Sequence, residues 1–207
     1  MKWLVAILLA LPPPCAAAVS WYPLTSGTRW CYKDYRLKDG RVVRTDLVCA
    51  REEIVNGSKT VVLESADKRT AYWISAGPAG VDLHRFRRPG LAGRLTVTLL
   101  PPMALLRLPA PAGREWTYEG FAKTSWGDRF IRASCKVQGE ETDYLGLHPV
   151  CTLRVDSLFK VGDGEIRLLR FWFLPGRGLF AIHDGKDLST LLEHVPGDGL
   201  WPVKDSR

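Results

Sequence analysis

The feature that most constrains the fold is a short stretch that occurs twice. "SGTRWCYKDY" at 26–35 returns as "AGREWTYEGF" at 112–121, so Gly27, Trp30 and Tyr32 reappear as Gly113, Trp116 and Tyr118. Alternate side chains of a β-strand share a face, so each Trp points the same way as its Tyr. Arg29, Lys33, Glu115, Thr117 and Glu119 occupy the other parity. Each copy therefore predicts a strand with rings on a buried face and polar side chains in water. Both stretches run into a turn, "KDGR" at 38–41 and "SWGD" at 125–128, and then into another strand-like segment. That is a hairpin signal.

The correspondence continues along the chain. "AYWISAGPAGVDLHRF" at 71–86 parallels "RFWFLPGRGLFAIHDG" at 170–185, and "RLTVTLLPP" at 94–102 parallels "LSTLLEHVP" at 188–196. The chain reads as a tandem duplication over about 21–108 and 109–200, followed by a short tail at 201–207. No segment sustains a helical apolar period, and 19 Gly and 14 Pro punctuate the sequence at all-β intervals. Roughly twelve strands joined by short loops are mostly antiparallel, and so long a sheet curls. The expected fold is all-β: two homologous repeats forming one curled antiparallel sheet, a half-barrel or barrel, with little helix.

The first residues read as a secretory signal peptide. Lys2 supplies the positive start, Trp3 to Leu11 an apolar run too short to span a bilayer, and Ala16 to Ala18 a small-residue cleavage site. A lipoprotein anchor at Cys15 is the rival, but the three prolines before it suit that site poorly. With 1–18 removed, a single β domain over 19–207 is expected, periplasmic or extracellular, with no transmembrane segment. Loss of Lys2 brings 29 basic side chains to 28 against 22 acidic, a formal charge of +6. The densest basic cluster is "HRFRRP" at 84–89. In an exported protein it reads as a solvated face or a site for anionic lipid or polymer, not for nucleic acid.

Four cysteines outlast the signal: Cys31, Cys49, Cys135 and Cys151. In an oxidising compartment they predict two bridges. Cys31 and Cys49 lie symmetrically about Gly40 in the first turn, which suggests a bridge across that hairpin, and Cys135–Cys151 is left as the second. No C-x-x-C pair or spaced His partner favours zinc.

Catalytic arrangements are scarce. G-x-S-x-G, H-E-x-x-H and the phosphate-binding loop are absent, so no catalytic residue and no cofactor is expected. His84 and His183 fall at equivalent places in the repeats, with Asp184 and Asp187 beside the second. They suggest either a paired site or two half-exposed strand residues. Asn56-Gly57-Ser58 matches a glycosylation acceptor. The surplus is aromatic. Trp30, Tyr32, Trp73, Trp116, Tyr118 and Trp172, with Trp126 in a matched turn, pack a core or line a hydrophobic cavity.

"WYPLTSGTRWCY", "LLPPMALLRLPAPAGREWTY" and "FWFLPGRGLFAI" together resemble a group of uncharacterised exported bacterial proteins. Their pattern is Y-P-L-x-x-G-x-x-W-x-Y, a second G-x-x-W-x-Y, then P-G-x-G-L. The resemblance covers most of the chain after the signal and implies no activity. A weaker, architectural likeness is to the half-barrel lipoprotein carriers of bacterial envelopes, which says nothing by itself about function. The expected function is an exported, non-enzymatic carrier or sensor of an apolar small molecule or lipid. Its alternative is an accessory or structural subunit of an envelope or surface assembly, with a protein partner.

Overall fold

A computed structural model of the chain describes residues 20–90 and 93–198. The expected signal segment, Cys15 and the tail at 201–207 lie outside the described residues.

Turn chemistry divides the chain into strands. Asn56 and Gly57 join two of them with φ of 50° and 79°. A two-residue hairpin of type I′ needs positive φ at both positions, which Asn-Gly supplies at little cost. The first six strands are β1 (Arg29–Arg36), β2 (Val42–Val55), β3 (Ser58–Ser65), β4 (Ala71–Gly77), β5 (Gly80–Gly90) and β6 (Gly93–Arg107). After a link at 108–114 come β7 (Glu115–Thr124), β8 (Gly127–Leu145), β9 (His148–Val161), β10 (Arg167–Leu174), β11 (Gly178–His183) and β12 (Asp187–Val195). Each strand pairs antiparallel with its chain neighbours, and β1 closes on β12. The expected curled sheet is a closed up-and-down barrel. Six strands precede residue 109 and six follow it.

Side chains alternate as the repeated motif predicts. Trp30, Tyr32 and Tyr118 are buried and Trp116 is half-buried, while Arg29, Lys33, Glu115, Thr117 and Glu119 are exposed. The outer wall carries ion pairs such as Lys136–Glu115 (2.9 Å) and Arg132–Glu119 (3.2 Å). A barrel spanning a membrane shows the reverse, an apolar outside and a polar lumen. This wall is built for water.

The register corrects the expected disulfides. The β1–β2 hairpin turns between Lys38 and Asp39, not at Gly40, so Cys31 faces Asp46. Cys49 lies three residues further along β2, roughly 10 Å away, and joins the barrel interior while Cys31 does not. Cys135 faces Ser157, whereas Cys151 faces Thr142, seven residues along β8 and over 20 Å distant by about 3.3 Å per residue. A bridge needs Cα atoms within about 7 Å. All four thiols are free.

The two joints between the halves differ. β1 and β12 pair from Arg29–Val195 to Arg36–Asp187. β6 meets β7 through Thr98, Leu99 and Leu100. Beyond Leu100 come Pro101 and Pro102, which have no N–H to give a ladder and sit in a bulge opposite β5. Side chains of the second motif take over there. Trp116 Nε1 donates to the Ala104 carbonyl (3.2 Å) and the Tyr118 hydroxyl to that of Pro101 (2.8 Å).

Candidate functional site

A ring of twelve strands is wider than eight, the number whose side chains just fill the interior. Here one half of the lumen is filled and the other is hollow. At the filled end, segment 20–28 is tied to the β10–β11 turn, where the Gly176 N–H donates to the Ser20 carbonyl (3.0 Å), and contributes Tyr22, whose ring packs on Trp30 at 5.5 Å. Trp30 is 0 % exposed and donates from Nε1 to the Arg177 carbonyl (2.6 Å). Phe173, Leu106, Val137 and Val155, all fully buried, complete this plug.

Above it opens a cavity of about 900 Å³. Its floor includes Tyr22, Tyr32, Met103 and Phe171, and its walls Ile74, Leu83, Phe86, Phe159, Leu169 and Ile182. Tyr32 donates to the Leu179 carbonyl (2.9 Å). Burial pushes both floor phenols well up in pKa, so they stay neutral. Part-way up the wall, Asp34 accepts hydrogen bonds from the hydroxyls of Thr45 and Ser189. Charge gathers at the mouth, where Arg36, Arg41, Arg88 and Arg167 meet Glu165, Asp184 and Asp187. Arg88 lies over the Tyr72 ring (5.7 Å) and donates to its hydroxyl (3.1 Å).

Of the six aromatic residues expected to line a site, Tyr32 reaches the cavity, at its floor. Trp30 belongs to the plug, and Trp116 and Tyr118 secure the β6–β7 joint. Burial pushes the Tyr118 phenol up to about 12. Trp73 and Trp172 sit on the outer wall in matching settings. Trp73 Nε1 donates to Glu53 Oε2 and Trp172 Nε1 to Glu141 Oε2, each at 2.7 Å. Arg85 and Arg87 lie over the first ring and Arg154 over the second. Their inward neighbours Tyr72 and Phe171 line the cavity instead. "AYWIS" and "RFWFL" are too apolar on both faces for parity to say which ring points in. The arginines opposite, Arg85 facing Trp73 and Arg154 facing Trp172, were the available signal.

The histidines do not form a paired site. β5 and β11 lie six strands apart around a ring of twelve, on opposite sides of the barrel. His84 is buried, with Nε2 2.8 Å from the Ser75 hydroxyl and Nδ1 without a partner; burial lowers its pKa. His183 Nδ1 is 3.4 Å from Arg170. Among the described residues no cluster of His, Cys, Asp and Glu is arranged to hold a metal ion.

No protein-family profile matches the chain, and no curated protein matches it in sequence. Two solved structures resemble it. A candidate exported protein with a YmcC-like fold from Bacteroides fragilis has a TM-score of 0.54 at 11 % identity, covering 86 % of this chain and 99 % of its own. A candidate lipoprotein from Parabacteroides distasonis has a TM-score of 0.45 at 12 % identity, with coverage of 86 % and 99 %. The first likeness establishes that this barrel shares the YmcC-like fold.

Proposed function

We propose that this protein is an exported, non-enzymatic carrier or sensor that holds an apolar or amphipathic molecule, such as a lipid, in the hollow half of its barrel. The observation that carries the reading is the segregation inside the lumen. Apolar floor and walls enclose about 900 Å³, a size suited to a small molecule, while the charged groups are gathered near the mouth. A molecule with an apolar body and a polar head fits that gradient, its head among Arg36, Arg41, Arg88 and Arg167. The signal-like first residues support export, and the Bacteroides neighbour is itself described as exported.

Native mass spectrometry of the protein purified from its host should show a retained apolar molecule. A fluorescent apolar probe such as N-phenylnaphthylamine should bind the emptied protein. Ile182→Trp, which fills the lumen, should weaken the probe at least about ten-fold, equivalent to about 1.4 kcal/mol. Trp73→Phe and Trp172→Phe, on the outer wall, should leave it unchanged. Probe binding untouched by Ile182→Trp would refute the cavity as its site.

A further inference from the structure

In a closed meander the odd-to-even turns all lie at one end and the even-to-odd turns at the other. The cavity opens at the first of these ends. Its turn segments, 36–44, 66–70, 87–90 with 93–94, 123–129, 160–167 and 184–187, hold 14 Arg and Lys against 7 Asp and Glu. The segments of the filled end, 51–59, 77–80, 107–115, 139–150, 174–178 and 193–198, hold 5 against 8. Among the described residues the positive excess is thus concentrated around the mouth.

Apolar side chains stand among those charges. Trp126 at the tip of β7–β8 is 68 % exposed and Ile166 on β9–β10 is 65 % exposed, with Leu37 and Val42 exposed on β1–β2. The β1–β2 and β7–β8 turns face each other across the ring. The Trp126 turn is held in shape by Thr124, whose Oγ1 donates to the Gly127 carbonyl (2.8 Å) and accepts from the Trp126 N–H (3.1 Å). Exposed apolar tips also occur at the filled end, at Ile54 and Leu147, so apolarity alone does not select a face. Charge does. A surface that is both basic and studded with Trp and aliphatic tips complements the interface of an anionic bilayer, where each Lys or Arg near the surface is worth about 1 kcal/mol and Trp prefers the headgroup level.

We infer that the mouth of the barrel docks on membranes bearing anionic lipid headgroups, with Trp126 and Ile166 inserted into the interface and the basic turns around them. Docking sets the cavity opening against the bilayer. The inference extends the carrier reading, from which its meaning as a route for lipid derives, but the surface itself stands on charge and exposure.

The test is co-sedimentation of the full secreted chain with vesicles, beside probe binding in solution. Vesicles of phosphatidylcholine with a quarter phosphatidylglycerol should bind the protein at least about ten-fold better than phosphatidylcholine alone, and most of that gain should vanish between about 50 mM and about 500 mM salt. Trp126→Ser/Ile166→Ser should lower binding to the anionic vesicles about ten-fold and spare the probe. Ile54→Ser/Leu147→Ser at the filled end should change neither. Equal binding to both vesicle types, protein left in the supernatant because the face serves a protein, or an equal loss with the filled-end variant would each overturn the docking surface. Vesicle binding with no probe uptake would support the docking face and remove the carrier reading. Probe uptake with no vesicle binding would do the reverse.

Discussion

Truncation of Trp30 should cost far more than truncation of Leu169, although both point into the lumen. Trp30 is fully buried against Tyr22 and His194, with ring centroids 5.5 Å away in each case. Removing a buried Trp down to Ala costs about 3–5 kcal/mol through lost transfer energy and the void left behind. The Arg177 carbonyl also loses its indole donor, worth about 1 kcal/mol. Trp30→Ala should therefore cost about 4–6 kcal/mol. Leu169 faces the hollow half, so its loss enlarges a space that already exists. Without a new void, Leu169→Ala should cost about 1 kcal/mol. With a urea dependence of about 2 kcal/mol per M, the midpoints should fall by about 2–3 M and about 0.5 M. Far-UV circular dichroism, which does not depend on the lost indole, reads both. Total stability is commonly about 5–15 kcal/mol, so Trp30→Phe, expected to cost about 1–2 kcal/mol, keeps the comparison measurable if Trp30→Ala unfolds. A Leu169→Ala shift as large as that of Trp30→Ala, or larger than that of Trp30→Phe, would refute the division into a filled and a hollow half.

Free thiols make a second expectation. Cys151, exposed, should react quickly with a thiol reagent, while Cys31, Cys49 and Cys135 wait for unfolding, the Cys49 thiol being pushed up to about 12 by burial. A cross-linked Cys31–Cys49 peptide in a non-reducing digest would overturn the register drawn for the first hairpin. Stability should also fall in mild acid. Burial lowers the pKa of His84 and His194, so below the unfolded value of about 6.5 the unfolded chain binds more protons than the folded one. This contribution is whole at neutral pH and is lost as pH drops through that window. The urea midpoint should be lower at about pH 5.5 than at about pH 7.5, and His84→Gln should narrow the gap. Equal midpoints for the parent protein at the two pH values would contradict neutral burial of these rings.

The architecture was legible because its signal is local and repeated. A G-x-x-W-x-Y strand running into a turn carries its own parity, and Trp30 and Tyr32 point inward as that parity requires. The disulfides failed for a reason just as local. One and a half residues of difference in where the "KDGR" turn pivots moves the facing partner by three, from Cys49 to Asp46. The cavity was less legible. Which of Tyr72 and Trp73, or Phe171 and Trp172, faces inward depends on partners across the sheet. β5 and β11 also bulge beside these strands, at His84 and at Phe180. That half of the lumen is empty depends on the number of strands in the closed ring, a global quantity no single segment encodes.

The uneven joints have a consequence for how such a barrel fails. Opening along β6–β7 breaks a ladder of three facing pairs, as short as that of β11–β12, and leaves a twelve-strand sheet whose free edges are those two strands. Free edges invite other chains to add to them. This pair is poorly suited as a template. One lip carries Pro101 and Pro102, which offer no N–H. A stray strand meeting the β6 lip finds two donors missing, so transient opening at this three-pair joint carries less risk of aggregation than at a joint whose two lips keep every N–H.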